Sequence, residues 1–136
     1  MDAGEVVRQG LDRWNAHDRD GYAGLCSNDV DIQGPGGLKL SGAEGWLQFF
    51  DAWHEAFPDN RIEAEVFMEG ERACEEARFT GTHTGTLHGP AGDVPATGRR
   101  VAVPYAATYH VHDDKVTRVR MFWDQLEVLS QLGLAP

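Results

Sequence analysis

From Phe79 to Thr86 the chain reads Phe-Thr-Gly-Thr-His-Thr-Gly-Thr. At a two-residue period Phe79, Gly81, His83 and Gly85 share one face of a strand and the threonines take the other, so the imidazole is flanked by missing side chains. Two readings follow. Room beside the ring would let a substrate reach it, making His83 a proton donor, a proton acceptor or a hydrogen-bond anchor. Alternatively, the glycines relieve a bend in the sheet and His83 is a satisfied, half-buried residue. Tyr105 and Tyr109 carry hydroxyls able to bind the carbonyl or phenol of an otherwise apolar ligand, or they pack as core aromatics. His83 and Tyr105 are the expected catalytic groups. Asp124 invites assignment as a general base, but Glu127 follows three residues later where a helix begins. That is capping-box spacing with Asp as the cap, and a structural role accounts for the residue. His17, His54, His88, His110 and His112 have no metal-like arrangement. The chain also carries no phosphate-cradling glycine loop, nucleophile elbow or dinucleotide fingerprint.

These groups need a sheet to hold them, and the stretch from Tyr105 to Gly133 supplies its centre: strand, turn at Asp113-Asp114-Lys115, strand, short helix. A three-residue turn with Asp114 left-handed pairs position 107 with 121, 105 with 123 and 109 with 119. Val103, Tyr105, Ala107, Tyr109, Val119, Met121 and Trp123 then share an almost wholly apolar face. Thr108, His110, His112, Arg118 and Arg120 take the other, which suits solvent or an oligomer contact.

Upstream, Asp2 and Glu5 have capping-box spacing ahead of Val7, Leu11 and Trp14, which predicts a first helix ended by Asn15 to Asp20. A short second helix is expected around Tyr22, Leu25 and Cys26, then a brief strand over Val30 to Gln33. Ser41 and Glu44 predict the cap of a third helix, whose stripe of Trp46, Phe49, Phe50, Trp53 and Phe57 stops at Pro58. Beyond it the period drops to two: Ile62, Ala64, Val66 and Met68 face one way, and a long strand is expected from Arg72 to Thr86. Helices followed by long strands make an α+β domain, with the sheet curling over the aromatic helix and a cone-shaped cavity between them. The expected lining is Trp14, Phe50, Trp53, Phe79, Ala107, Tyr109, Met121 and Trp123.

At 136 residues and 41% hydrophobic content, the chain fits a single domain, residues 1–136. A formal net charge of -10 argues against nonspecific binding to nucleic acid or anionic membrane and leaves small apolar molecules as partners. Two cysteines outside any metal-ligand spacing, with no basic leader or apolar run, predict a soluble cytoplasmic protein.

Several of these features recur together in one family. The Trp14-Asn15 helix end, the capped aromatic helix closing at Phe57, Gly81-Thr82-His83-Thr84-Gly85, and Asp124 through Gln131-Leu132-Gly133 resemble the SnoaL-like polyketide cyclases of the nuclear-transport-factor-2-like superfamily. The resemblance implies a cone in which a curved, mostly antiparallel sheet wraps over three N-terminal helices, with a short C-terminal helix. It also implies cofactor-free chemistry and homodimers or tetramers formed through the sheet. The family's aldol cyclases use an Asp on the last strand with Gln and His on the preceding one. Those places fall here on Met121, Tyr105 and Ala107, and a thioether cannot take a proton from a carbon acid.

The expected function is therefore an enzyme of altered chemistry, cyclising, isomerising or hydrating a hydrophobic polyketide-like or terpenoid-like molecule. Holding the substrate in a reactive conformer would do much of the work. Hydroxylase and epoxide-hydrolase relatives are also implied, although an epoxide hydrolase needs acids and an arginine that the predicted pocket face does not supply. A noncatalytic binder or carrier of an aromatic metabolite is the alternative, because the predicted floor lacks a clear acid/base pair. An interaction module built on the threonine face is a third.

Overall fold

The computed structural model describes residues 1–135. Helix α1 (Ala3–Asn15) starts as its spacing predicts, the Asp2 carboxylate accepting the Glu5 N–H at 2.8 Å. Its end is pinned from both sides. The Trp14 indole donates to Asn60 at 2.7 Å, and the Asn15 amide both donates to the Ile62 carbonyl and accepts from the Ile62 N–H, each at 2.8 Å.

Helix α2 (Arg19–Ala23) is shorter than expected. Leu25 and Cys26 leave it because the Leu25 carbonyl accepts from Val116 and Cys26 opens strand β1 (Cys26–Gly34), which is correspondingly longer than Val30 to Gln33. A 3-10 turn at Pro35–Gly37 reverses the chain into β2 (Leu38–Ser41), a strand not foreseen. Helix α3 (Gly42–Ala56) carries the aromatic stripe, but Ser41 makes no side-chain capping bond there.

The remaining strands are β3 (Arg61–Glu69), β4 (Arg72–Thr82), the β5–β6 hairpin (Leu87–Gly89 and Gly92–Val94), β7 (Arg100–His112) and β8 (Lys115–Phe122). The β5–β6 hairpin lies beyond the expected Thr86 strand end, where no strand was foreseen. The alternation predicted for β3 holds from Ile62 to Met68, whose Sδ lies beside Gly4 of α1 although the residue is 41% exposed near the β3–β4 turn. Helix α4 (Gln125–Gln131) follows, capped by Asp124, whose carboxylate accepts from Leu126 and Glu127. Gly133 closes it at φ 75°, the left-handed stop its sequence predicts.

The main sheet runs β2-β1-β8-β7-β4-β3, with β1 and β8 parallel and the other neighbours antiparallel. It curves over the helices in an α+β arrangement. The predicted registers 107 with 121 and 109 with 119 are observed, for a different reason than expected. Asp113 and Asp114 both have positive φ, 49° and 62°, so the turn has two residues and pairs His112 with Lys115. One residue of β8 is then skipped in a bulge between His110 and Val111, and the count returns to that of a three-residue turn. The apolar face is thereby kept inward: Val103, Ala107, Val119 and Met121 are all buried.

Candidate functional site

Between the helices and the concave face of the sheet lies a cavity in which the centre of a water-sized sphere can move through about 90 Å³. One water needs about 10–15 Å³ by the same measure, so the space admits a molecule of several heavy atoms. Its walls are apolar and strongly aromatic. Trp14 comes from α1, Tyr22 from α2, Trp46, Phe49 and Trp53 from α3, and Phe79, Tyr105, Tyr109, Met121 and Trp123 from the sheet and its end. Trp53 is held among Phe79, Trp123 and Phe57 at centroid distances of 5.4, 5.7 and 5.8 Å.

One carboxyl group stands in this wall. Glu75 of β4 lines the cavity and is 1% exposed, and among the described residues it is the sole Asp, Glu, Lys, Arg or His in the lining. Register explains its partners. Glu75 pairs with Ala107 on β7, so Tyr105 and Tyr109, two residues to either side on the same face, bracket it. The Tyr105 hydroxyl donates to Glu75 Oε2 at 2.7 Å, and the Tyr109 hydroxyl donates to Oε1. Burial pushes the Glu75 carboxyl above its ordinary range, and the two phenol donors pull it part of the way back. Burial, and then the charge of Glu75, push both phenols well above theirs. Each member of the cluster therefore holds its proton more firmly than it would in water. The expected floor lacked a clear acid/base pair; the wall contains one carboxyl, Glu75, that was not among the expected lining residues.

The sequence carries a signal for Glu75. Stepping by two from Gly81 and Phe79 gives Ala77, Glu75 and Ala73 on the inward face, whereas Glu76 and Arg78 point outward. A glutamate among small inward residues, opposite the midpoint of a Tyr-x-x-x-Tyr pair, is that signal.

His83 lies elsewhere. Strand β4 ends at Thr82, short of the expected Thr86, and the His83 ring is fully buried, stacked on Phe57 at 5.1 Å and outside the cavity lining. Its Nδ1 accepts the Thr97 N–H at 3.2 Å and contacts the Thr97 hydroxyl at 3.0 Å, while Nε2 has no partner among the described residues. The space left by the glycines is taken up by helix α3. A Cβ on Gly81 would lie 3.0 Å from Phe57 Cβ, and one on Gly85 would collide with the Glu55 carbonyl oxygen. Thr84 and Gly85 N–H both donate to the Ala56 carbonyl at 3.1 Å, satisfying the helix end. This is a packing arrangement in which the end of helix α3 fills the space beside the ring.

Of the expected lining, Trp14, Trp53, Phe79, Tyr109, Met121 and Trp123 face the cavity together with Tyr105. Phe50 packs behind it against Trp14 and Tyr22 at 5.3 and 5.1 Å, and Ala107 is sealed at 0% exposure between its strand neighbours. Tyr22 and Glu75 are the polar members that were not foreseen.

The profile of the SnoaL-like polyketide cyclases matches residues 4–132. A proposed SnoaL-like polyketide cyclase from Jannaschia sp. CCS1 is 28% identical with a TM-score of 0.84, the match covering 97% of this chain and 92% of that one. IdmH from Streptomyces antibioticus, a proposed polyketide cyclase, is 22% identical with a TM-score of 0.80, covering 98% and 99%. A protein of ketosteroid-isomerase-like fold from Catenulispora acidiphila DSM 44928, solved with trimethylamine, is 18% identical with a TM-score of 0.78, covering 97% and 94%. The last two likenesses bear on the fold alone. No curated protein matches the chain.

Proposed function

Because this chain belongs to the SnoaL-like polyketide cyclase family, we propose that it is a cofactor-independent cyclase or isomerase of a hydrophobic, polyketide-like carbonyl compound, with Tyr105 meeting the substrate and Glu75 behind it. The observation that carries this reading is the separate tyrosine on each Glu75 oxygen. When Oε2 carries a proton, the Tyr105 bond reverses: the carboxyl donates to the Tyr105 oxygen there while still accepting from Tyr109 on Oε1. As an enol carbon attacks a carbonyl carbon, Tyr105 protonates the carbonyl oxygen and is reprotonated by Glu75. The enol hydroxyl proton returns through Tyr109 to the other oxygen of Glu75. One carbon–carbon bond forms, the hydroxyl of the product appears where the carbonyl was, and the cluster ends neutral. Charge separation is avoided, which suits a wall this apolar. The same shuttle serves keto–enol isomerisation.

Glu75 acts through the tyrosines because its own carboxyl is covered, whereas a direct base must come within about 2.6–3.2 Å of its proton. Met121 stands where the resemblance puts the aldol-cyclase Asp. Glu75 is in the same cross-strand row, since Glu75 pairs with Ala107 and Ala107 with Met121, about 10 Å away at two strand spacings. In this reading the acid has been resupplied from a different strand and His83 belongs to the scaffold. The aromatic walls fold the substrate. A homodimer through the outer sheet face belongs to the same proposal, supported by Phe67 and Phe122, which are 57% and 59% exposed there.

Incubating the protein with a lipophilic metabolite extract of its host, and comparing recovered compounds by LC-MS with a protein-free control, tests the reading. The expected result is a captured compound whose mass or retention time changes only with the protein. Capture without change would establish a carrier.

A further inference from the structure

Three tyrosines reach the Glu75 end of the cavity, and only two of them bond to it. The third, Tyr22, lines the cavity from α2. Its ring is held on three sides: stacked on Trp46 at 4.6 Å and 16°, edge-on to Trp14 at 5.7 Å, and tilted against Phe50 at 5.1 Å. The Trp46 indole donates to the Tyr22 carbonyl at 2.9 Å and fixes the backbone, while Asp18 caps the helix through the Gly21 N–H at 2.9 Å. The phenol is thus rigid, and its hydroxyl has no hydrogen-bond partner among the described residues. Nor is the hydroxyl sealed, since the buried and unpartnered side-chain oxygens and nitrogens are confined to Ser27 and His83. The residue itself is part of the cavity wall, with Glu75, Tyr105 and Tyr109 in the same lining.

A hydroxyl withdrawn from water and left unpaired is costly, so a rigid one facing a ligand space marks where a polar atom of the ligand belongs. The indole N–H groups of Trp14, Trp46 and Trp123 are committed to Asn60, the Tyr22 carbonyl and Gln125, which leaves Trp53 as the one other unpaired side-chain donor in the wall among the described residues. We infer that Tyr22 is a substrate-binding residue whose hydroxyl donates to a ketone oxygen of the ligand, selecting carbonyl compounds over hydrocarbons of the same shape. The inference rests on the cavity being the site of a carbonyl compound, and it adds a second donor, on a different element, to Tyr105.

The test uses 2-acetylnaphthalene and its deoxygenated counterpart 2-ethylnaphthalene as probes, with dissociation constants from tryptophan fluorescence quenching for the wild type, Tyr22→Phe and Tyr105→Phe. The Phe replacement keeps the ring and its stacking. The wild type is expected to favour the ketone, and Tyr22→Phe to weaken ketone binding about tenfold while leaving 2-ethylnaphthalene within about twofold. Unchanged ketone affinity in Tyr22→Phe overturns the inference. Loss of ketone preference in Tyr105→Phe alone also overturns it and leaves the role of Tyr105 standing. A wild type that binds neither probe overturns the cavity reading itself.

Discussion

Glu75 is a carboxyl group where period-two patterning calls for an apolar side chain, and what makes it tolerable is the pair of phenols that meet its two oxygens. Its titration has a sign that can be measured. Burial raises its folded pKa above the ordinary 4.5, so its contribution to stability is complete below about that value and is lost as pH rises through the folded pKa. Glu75→Gln removes the titration and keeps a group that both donates and accepts. Between pH 4.5 and neutrality the melting temperature of the wild type should fall relative to that of the variant; parallel curves would show that Glu75 is not perturbed. Asp31, lowered by Arg120, and Asp59, lowered by Thr82, work in the opposite direction but are common to both proteins. Tyr105 and Tyr109 were legible because hydroxyls on an apolar strand face are conspicuous. Glu75 was not, because beside Glu76 it reads as part of a solvated charge pair until strand phase separates the two faces.

At the scale of elements, the β7–β8 hairpin was legible because one face is apolar throughout, and a slip of one residue would have reversed it. The two-residue turn with its compensating bulge reaches the same register, and no local pattern distinguishes that route from a three-residue turn. The Phe79 to Thr86 alternation misled for a physical reason. Its glycines answer to the C-terminus of α3, a contact distant in sequence, so local phase could not reveal whether a ligand or a helix filled the gap. Gly85→Ala should therefore destabilise the protein by about 3 kcal/mol, the upper range for overpacking, because the new Cβ meets backbone that cannot swing aside. Chemical denaturation checks it, and a loss under about 0.5 kcal/mol, the range of an ordinary surface change, would show the contact to be loose. The last helix has a comparable long-range tie. Gln131 accepts from the Ala102 N–H at 2.7 Å and donates to its carbonyl at 2.9 Å, completing the edge of β7 beyond the reach of β8. Nothing local in the sequence marks Gln131 for that contact, whose partner lies 29 residues away.

Across the whole molecule, the α+β cone and its cavity followed from two surfaces too apolar to remain bare, the helix stripe and the concave sheet face, and the structure places the cavity between them. What the cone does depends on which polar groups survive inside it, and there the Glu75–Tyr105–Tyr109 cluster replaces the histidine that the glycine-rich strand suggested. No helix among the described residues is long and apolar enough to cross a membrane. The measurement that bears most directly on the account is turnover of the compound converted from host extract by Tyr105→Phe, set against His83→Ala, with circular dichroism confirming that both are folded. Loss of one preorganised donor typically costs about 10² in kcat, so Tyr105→Phe should fall by about that factor while His83→Ala stays within a few-fold of the wild type. Full turnover in Tyr105→Phe, or its loss in a folded His83→Ala, would contradict the account and return the chemistry to the histidine.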